Sequence, residues 1–177
     1  MNDKRLNPRF IFILSVVIAG ALFRLIPHWP NFTPIAAMAL FGGTYFSKKY
    51  LAFLIPMAAL FISDMILGFH SYMIAVYLSF AVIVGFGFML RNRVKIGSLL
   101  LASVGSSIVF FLITNFAVWI GSPFYPQNFA GLLESYTAGL PFLNNGILGD
   151  LFYNTLFFGA FYLAQQRFPV LAKVQAK

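Results

Sequence analysis

The polar residues of this chain that could bind a solute are few and gather in a small number of places. The densest is Arg24–Gly43, reading RLIPHWPNFTPIAAMALFGG. It holds Arg24, His28, Trp29, Asn31, Phe32 and Thr33, with Pro27 and Pro34 bracketing the loop. Proline pre-sets the backbone, so this loop is the first candidate for contact with a solute. Further along come Asp64, His70, Asn115, Trp119, Glu134, Asn144, Asn145, Asp150 and Asn154. Carboxylates and amides fix a ligand's orientation, and Trp29, Trp119, Tyr125 and Tyr136 offer faces on which a planar group could stack. Asn115 and Trp119 are four residues apart, as are Asp150 and Asn154, so each pair shares a helix face.

Each candidate also has a structural reading. Asp64 can pair with Arg24, because a charge near lipid needs a partner. Asp150 suits the first turn of a helix, where the dipole favours an acid. Thr33 can cap a helix, and the aromatic residues can form an interfacial belt. His28 and His70, with Asp64 or Asp150, have the ligand types of a metal site. No close histidine spacing supports one, so neither a metal nor a cofactor is expected.

Composition dictates the elements that must position these groups. Of 177 residues, 60% are hydrophobic and 9% charged. Mean hydropathy is +0.86. A soluble domain of this size cannot hide that much apolar surface, so an all-α polytopic membrane protein is expected. Six spans of roughly 20 residues fit the length. They are expected at about 10–26, 34–46, 50–68, 73–90, 97–120 and 147–164, in one membrane domain covering residues 1–177. The second is short and rich in small residues, which permit close helix approach. Pro56 interrupts the third. The basic start, apolar run and Ala19-Gly20-Ala21 mimic a signal peptide, but the run continues past that point, so a first membrane helix is expected. The connection 121–146, with Pro123, Pro126 and Pro141, reads as a long loop or lid. Its middle, Asn128–Ala138, suits a short interfacial helix capped by Asn128.

Charge sets the orientation. Net charge is +8, which raises nucleic acid as a partner. The cations instead cluster in short groups between apolar runs, the positive-inside pattern. Eleven of the twelve Lys and Arg residues fall in the N-terminus, second loop, fourth loop and C-terminus, leaving only Arg24 for the opposite side. Both termini are therefore expected in the cytoplasm. The candidate polar residues then fall on the outer side or in the outer third of a helix, while the inner half is almost free of polar groups. That predicts a pocket open outward and sealed below, and argues against a proton relay, ion channel or secondary carrier.

Enzymatic readings find no support. The chain has no cysteine, which excludes disulfides, thiolate metal sites and a thiol nucleophile. No Ser-His-Asp set, zinc helix motif or phosphate-cradling glycine loop is present. Ile147-Leu148-Gly149-Asp150 departs from the Gly-x-Gly-Asp motif of intramembrane aspartyl proteases. There is no room for a nucleotide-binding domain, so ATP would have to act through a partner.

The segments RLIPHWPNFTPIAAMALFGG, DMILGFH, TNFAVW and GDLFYN are similar to a bacterial family of putative transport proteins. With six helices and an outward polar pocket, the chain resembles substrate-binding S components of energy-coupling factor transporters. The resemblance implies an S-component-like bundle in the bacterial inner membrane. It implies capture of a vitamin-like micronutrient, and transmembrane and ATPase subunits as partners. Ala-x-x-x-Ala docking motifs of S components have only Ser15-x-x-x-Ala19 as a counterpart here, and the Met-His start of the nickel and cobalt members is absent. The alternative is a small membrane scaffold or cell-envelope assembly subunit without a ligand.

Overall fold

The computed structural model describes residues 7–172, which are all-helical, with no strand among them. Six α-helices follow in order: α1 (Pro8–Arg24), α2 (Ile35–Tyr45), α3 (Lys49–Leu67), α4 (Met73–Leu90), α5 (Ile96–Gly121) and α6 (Phe129–Arg167). A short 3-10 turn, Pro169–Leu171, ends the described chain. Four helices, α3 to α6, are long and apolar enough to cross a membrane. The expected cationic positions Lys4, Arg5, Lys173 and Lys177 lie outside the described residues.

Helix α2 is the hub. Its 11 residues rise only about 17 Å, short of the roughly 30 Å of bilayer hydrocarbon. Ten of them, Ile35 to Thr44, are buried. It touches each of the other five helices, and α4 most extensively. Small residues make this possible. A Cβ on Gly43 would fall 3.0 Å from the Gly87 Cα of α4, so these two backbones meet where no side chain fits. Phe41 fills the opposite side, packing edge-on against Phe158 and Phe161 of α6.

The largest departure from expectation is α6. The stretch 121–146 is not a long loop or lid. Helix begins at Phe129 and continues for 39 residues through Pro141 to Arg167, so the sixth span at 147–164 is the second half of a longer rod. Asn128 does cap it, its Oδ1 accepting from the Gly131 N–H at 3.0 Å. Pro141 costs one main-chain hydrogen bond, and α5 compensates by holding the same half of α6. The Ser135 hydroxyl donates to the Asn115 carbonyl at 2.9 Å, and the Tyr136 hydroxyl to the Leu112 carbonyl at 3.0 Å. Gly139 lies against the Asn115 side chain, where a Cβ would collide.

Other boundaries follow local chemistry. Gly68 ends α3 at φ 98°, a left-handed conformation glycine takes without strain. Trp29–Phe32 forms a turn closed by the Phe32 N–H on the Trp29 carbonyl at 3.0 Å. Pro30 and Asn31, the latter at φ 62°, suit the two central positions of a type II turn. Pro34 is the N-cap of α2 and no side chain caps the helix, so Thr33 does not cap it.

Candidate functional site

The connections after α1 and α3 lie at one end of the bundle, here the loop end. Beneath them is a cavity of about 380 Å³. Six of the residues expected to bind a solute line it: Arg24, His28, Asn31, Thr33, His70 and Asp150. Its apolar wall includes Phe80, Phe110, Phe111 and Phe142, from α4, α5 and α6. The volume is at the lower end of ordinary small-molecule sites, and the mix of aromatic wall and few polar groups matches them.

Asp150 is the one acidic residue among those lining this cavity. Its side chain is buried, and one carboxylate oxygen accepts from the Ser107 hydroxyl at 2.6 Å. It therefore sits halfway along α6, far from any first turn. His28 places Nδ1 2.6 Å from the Ile26 carbonyl oxygen. A carbonyl only accepts, so Nδ1 carries the proton in this contact and Nε2 is the remaining polar atom of the neutral ring. The loop is pinned to α6 from two sides. Asn145 Nδ2 donates to the Pro30 carbonyl at 3.0 Å, and the Phe32 ring packs on Phe152 and Tyr153. Gly149 permits this approach, since a Cβ there would meet the Phe32 Cα at 3.0 Å.

Asp64 stands beside the cavity and not in its lining. Arg24 Nη2 lies 2.6 Å from Asp64 Oδ1, and Arg24 Nη1 donates to the Ser63 hydroxyl at 2.5 Å. The Tyr77 hydroxyl donates to Asp64 Oδ2 at 2.8 Å. The carboxylate is 0% exposed and its arginine 12%. The pairing reading of Asp64 thus describes its place, and it holds Arg24 at the cavity edge.

The other sequence candidates lie elsewhere. Trp29 is exposed and meets Phe32 edge-on. Asn115 donates from Nδ2 to the Phe111 carbonyl within α5 and turns its Oδ1 toward Gly139 of α6. Trp119 Nε1 donates to the Pro126 carbonyl at 2.9 Å and closes the short α5–α6 connection. Its shared face with Asn115 therefore converges on α6 and its preceding loop. Glu134 and Asn144 are exposed on α6 and line no part of the cavity. Among the described residues no three His, Cys, Asp or Glu side chains gather as a metal site.

Asn154, expected among the outer solute-binding residues, does not line the loop-end cavity. One turn beyond Asp150, its Nδ2 donates to the Ser103 hydroxyl at 2.9 Å, while its Oδ1 is buried without a hydrogen-bond partner. Asn154 and Ser103 line a second cavity, of about 1050 Å³, at the opposite end of the bundle. Two polar rungs between α5 and α6, Ser107–Asp150 and Ser103–Asn154, thus separate the two cavities. The signal was present in the spacing: the serines are four apart on α5 and their partners four apart on α6. Phe110, Phe111 and Phe142 carried no such mark, being three among 23 phenylalanines.

No curated protein and no solved structure shows a significant match to the chain. The model of a protein family does match it, over residues 4–171, and the chain therefore belongs to DUF6580, a family of unknown function.

Proposed function

We infer that this chain is a substrate-binding membrane subunit of the S-component kind, which captures a small organic micronutrient in the loop-end cavity. The observation that carries this is the convergence of Arg24, His28, Asn31, Thr33, His70 and Asp150 on one aromatic-walled space. The alternation of Lys and Arg along the chain supports a cytoplasmic-membrane location with that cavity facing outward. Asp150 supplies an acceptor for an N–H or O–H group of the ligand, and the phenylalanines supply contact for a ring. No catalytic step belongs to this role. Uptake would be energised by a partner ATPase module with its membrane subunit.

A second reading, a membrane scaffold without a ligand, draws on the polar residues that engage one another. Arg24 with Asp64, and Asn145 with the Pro30 carbonyl, are partnered within the chain. Melting the purified protein with a panel of vitamins and cofactor precursors separates the two. A ligand at a hundredfold excess over its Kd stabilises the folded state by about 2.7 kcal/mol. The uptake reading expects one compound class to raise the melting temperature, and Asp150→Asn or Asn31→Gly to abolish the shift. Glycine suits the positive φ of Asn31, so that variant removes only the side chain. A flat response across the panel favours the scaffold.

A further inference from the structure

The larger cavity lies at the end away from the loops, apart from the one assigned above to solute capture. Arg9, Arg91 and Lys95 line it, and no Asp or Glu does. Arg9 Nη1 donates to the Leu171 carbonyl at 2.5 Å. Arg91 Nε and Nη2 donate to the Gly43 and Phe46 carbonyls at 3.0 and 2.8 Å. These acceptors are neutral, so they orient the guanidinium groups without cancelling their charge. Cations around a cleft with low-dielectric walls focus positive potential and draw an anion.

The rest of the cavity is apolar. Leu99 and Leu100 of α5 face it with Phe158 and Tyr162 of α6. Its lip is apolar and open: Ile96 is 82% exposed, Leu100 47% and Tyr162 60%. Such a lip, between two helices fit to cross a membrane, opens toward hydrocarbon. Gly159 leaves room inside, since a Cβ there would meet nothing within 4 Å.

We propose that this cavity holds an anionic phospholipid, its phosphate at Arg9, Arg91 and Lys95 and an acyl chain between the lower halves of α5 and α6. The charge selects an acidic headgroup over a zwitterionic one. The apolar lip selects a lipid over a soluble anion. The site is independent of the solute cavity.

Native mass spectrometry of the full chain in non-ionic detergent tests this. The probes are phosphatidylglycerol, phosphatidylcholine with the same acyl chains, and glycerol 3-phosphate as the soluble headgroup. The expected result is at least tenfold greater retention of phosphatidylglycerol than of phosphatidylcholine, with no displacement by glycerol 3-phosphate. Gly159→Phe, which fills the cavity, should cut phosphatidylglycerol retention at least tenfold. Lys95→Gln, at an exposed position, should reduce the preference severalfold and carries the test if Gly159→Phe fails to assemble. Equal retention of the two lipids would overturn the proposal. Unchanged retention in Lys95→Gln and in an assembled Gly159→Phe would do the same. Displacement by glycerol 3-phosphate at equal concentration would make the site one for soluble anions and overturn the lipid assignment.

Discussion

Arg24 is held between two roles, lining the solute cavity and neutralising Asp64. Because the carboxylate is fully buried, removing either partner strands a charge in low dielectric. Asp64→Ala should therefore destabilise the protein by about 3–5 kcal/mol, read from its melting temperature. Arg24→Met combined with Asp64→Leu should recover most of that loss, as apolar replacements of a buried pair often do. The pair itself was legible in the sequence, since two opposite charges at the same membrane depth seek each other. Tyr77 was not, because a phenol in an apolar run gives no sign that its hydroxyl reaches a carboxylate thirteen residues away. The same limit hid Ser107 as the partner of Asp150. Its spacing was visible, but the register between α5 and α6 that brings the rungs together was not.

Helix boundaries from α1 to α5 fall close to the expected spans because apolar runs and basic groups mark them. Helix α6 was not readable. Gly139, Pro141, Asn144, Asn145 and Gly146 are turn-forming residues, and by local rules they break a helix. Packing on α5 overrides them, with Gly139 serving close approach and Asn145 serving the Pro30 carbonyl. The continuity of α6 has a direct physical signature. Spin labels on cysteines at Leu133 and Leu163, both exposed, should lie about 45 Å apart along a single rod. A broken α6 would bring them much closer. The α2–α4 contact makes a second prediction at this scale. Gly43→Ala inserts a methyl group where two backbones touch, and should cost about 1–3 kcal/mol in stability, measured by thermal unfolding.

At the scale of the whole molecule, the loop-end cavity and the larger cavity formed by the described residues lie at opposite ends of one bundle, separated by two polar rungs. Its all-helical, membrane-compatible character followed directly from composition. The cavity at the basic end did not, because Thr44, Ser103 and Asn154 are scattered along the chain and become a lining only once α2, α5 and α6 pack. The lack of cysteine makes sidedness simple to measure. In intact cells, Ser71→Cys should react with a membrane-impermeant maleimide and Arg93→Cys should not, placing the loop end outside. The central claim, that the loop-end cavity captures a solute, is tested most directly by what the protein carries from its own membrane. Gly146 lines that cavity, and the nearest atom to a Cβ built there is the Asn31 carbonyl oxygen at 3.9 Å, so Gly146→Phe can fill the space. Both forms would be purified gently, denatured, and the released small molecules identified by mass spectrometry. Solute capture predicts one compound released near one per chain from the parent protein and lost from Gly146→Phe, while Gly159→Phe still carries it. No compound from the parent, or the same compound at equal yield from Gly146→Phe, would contradict the claim.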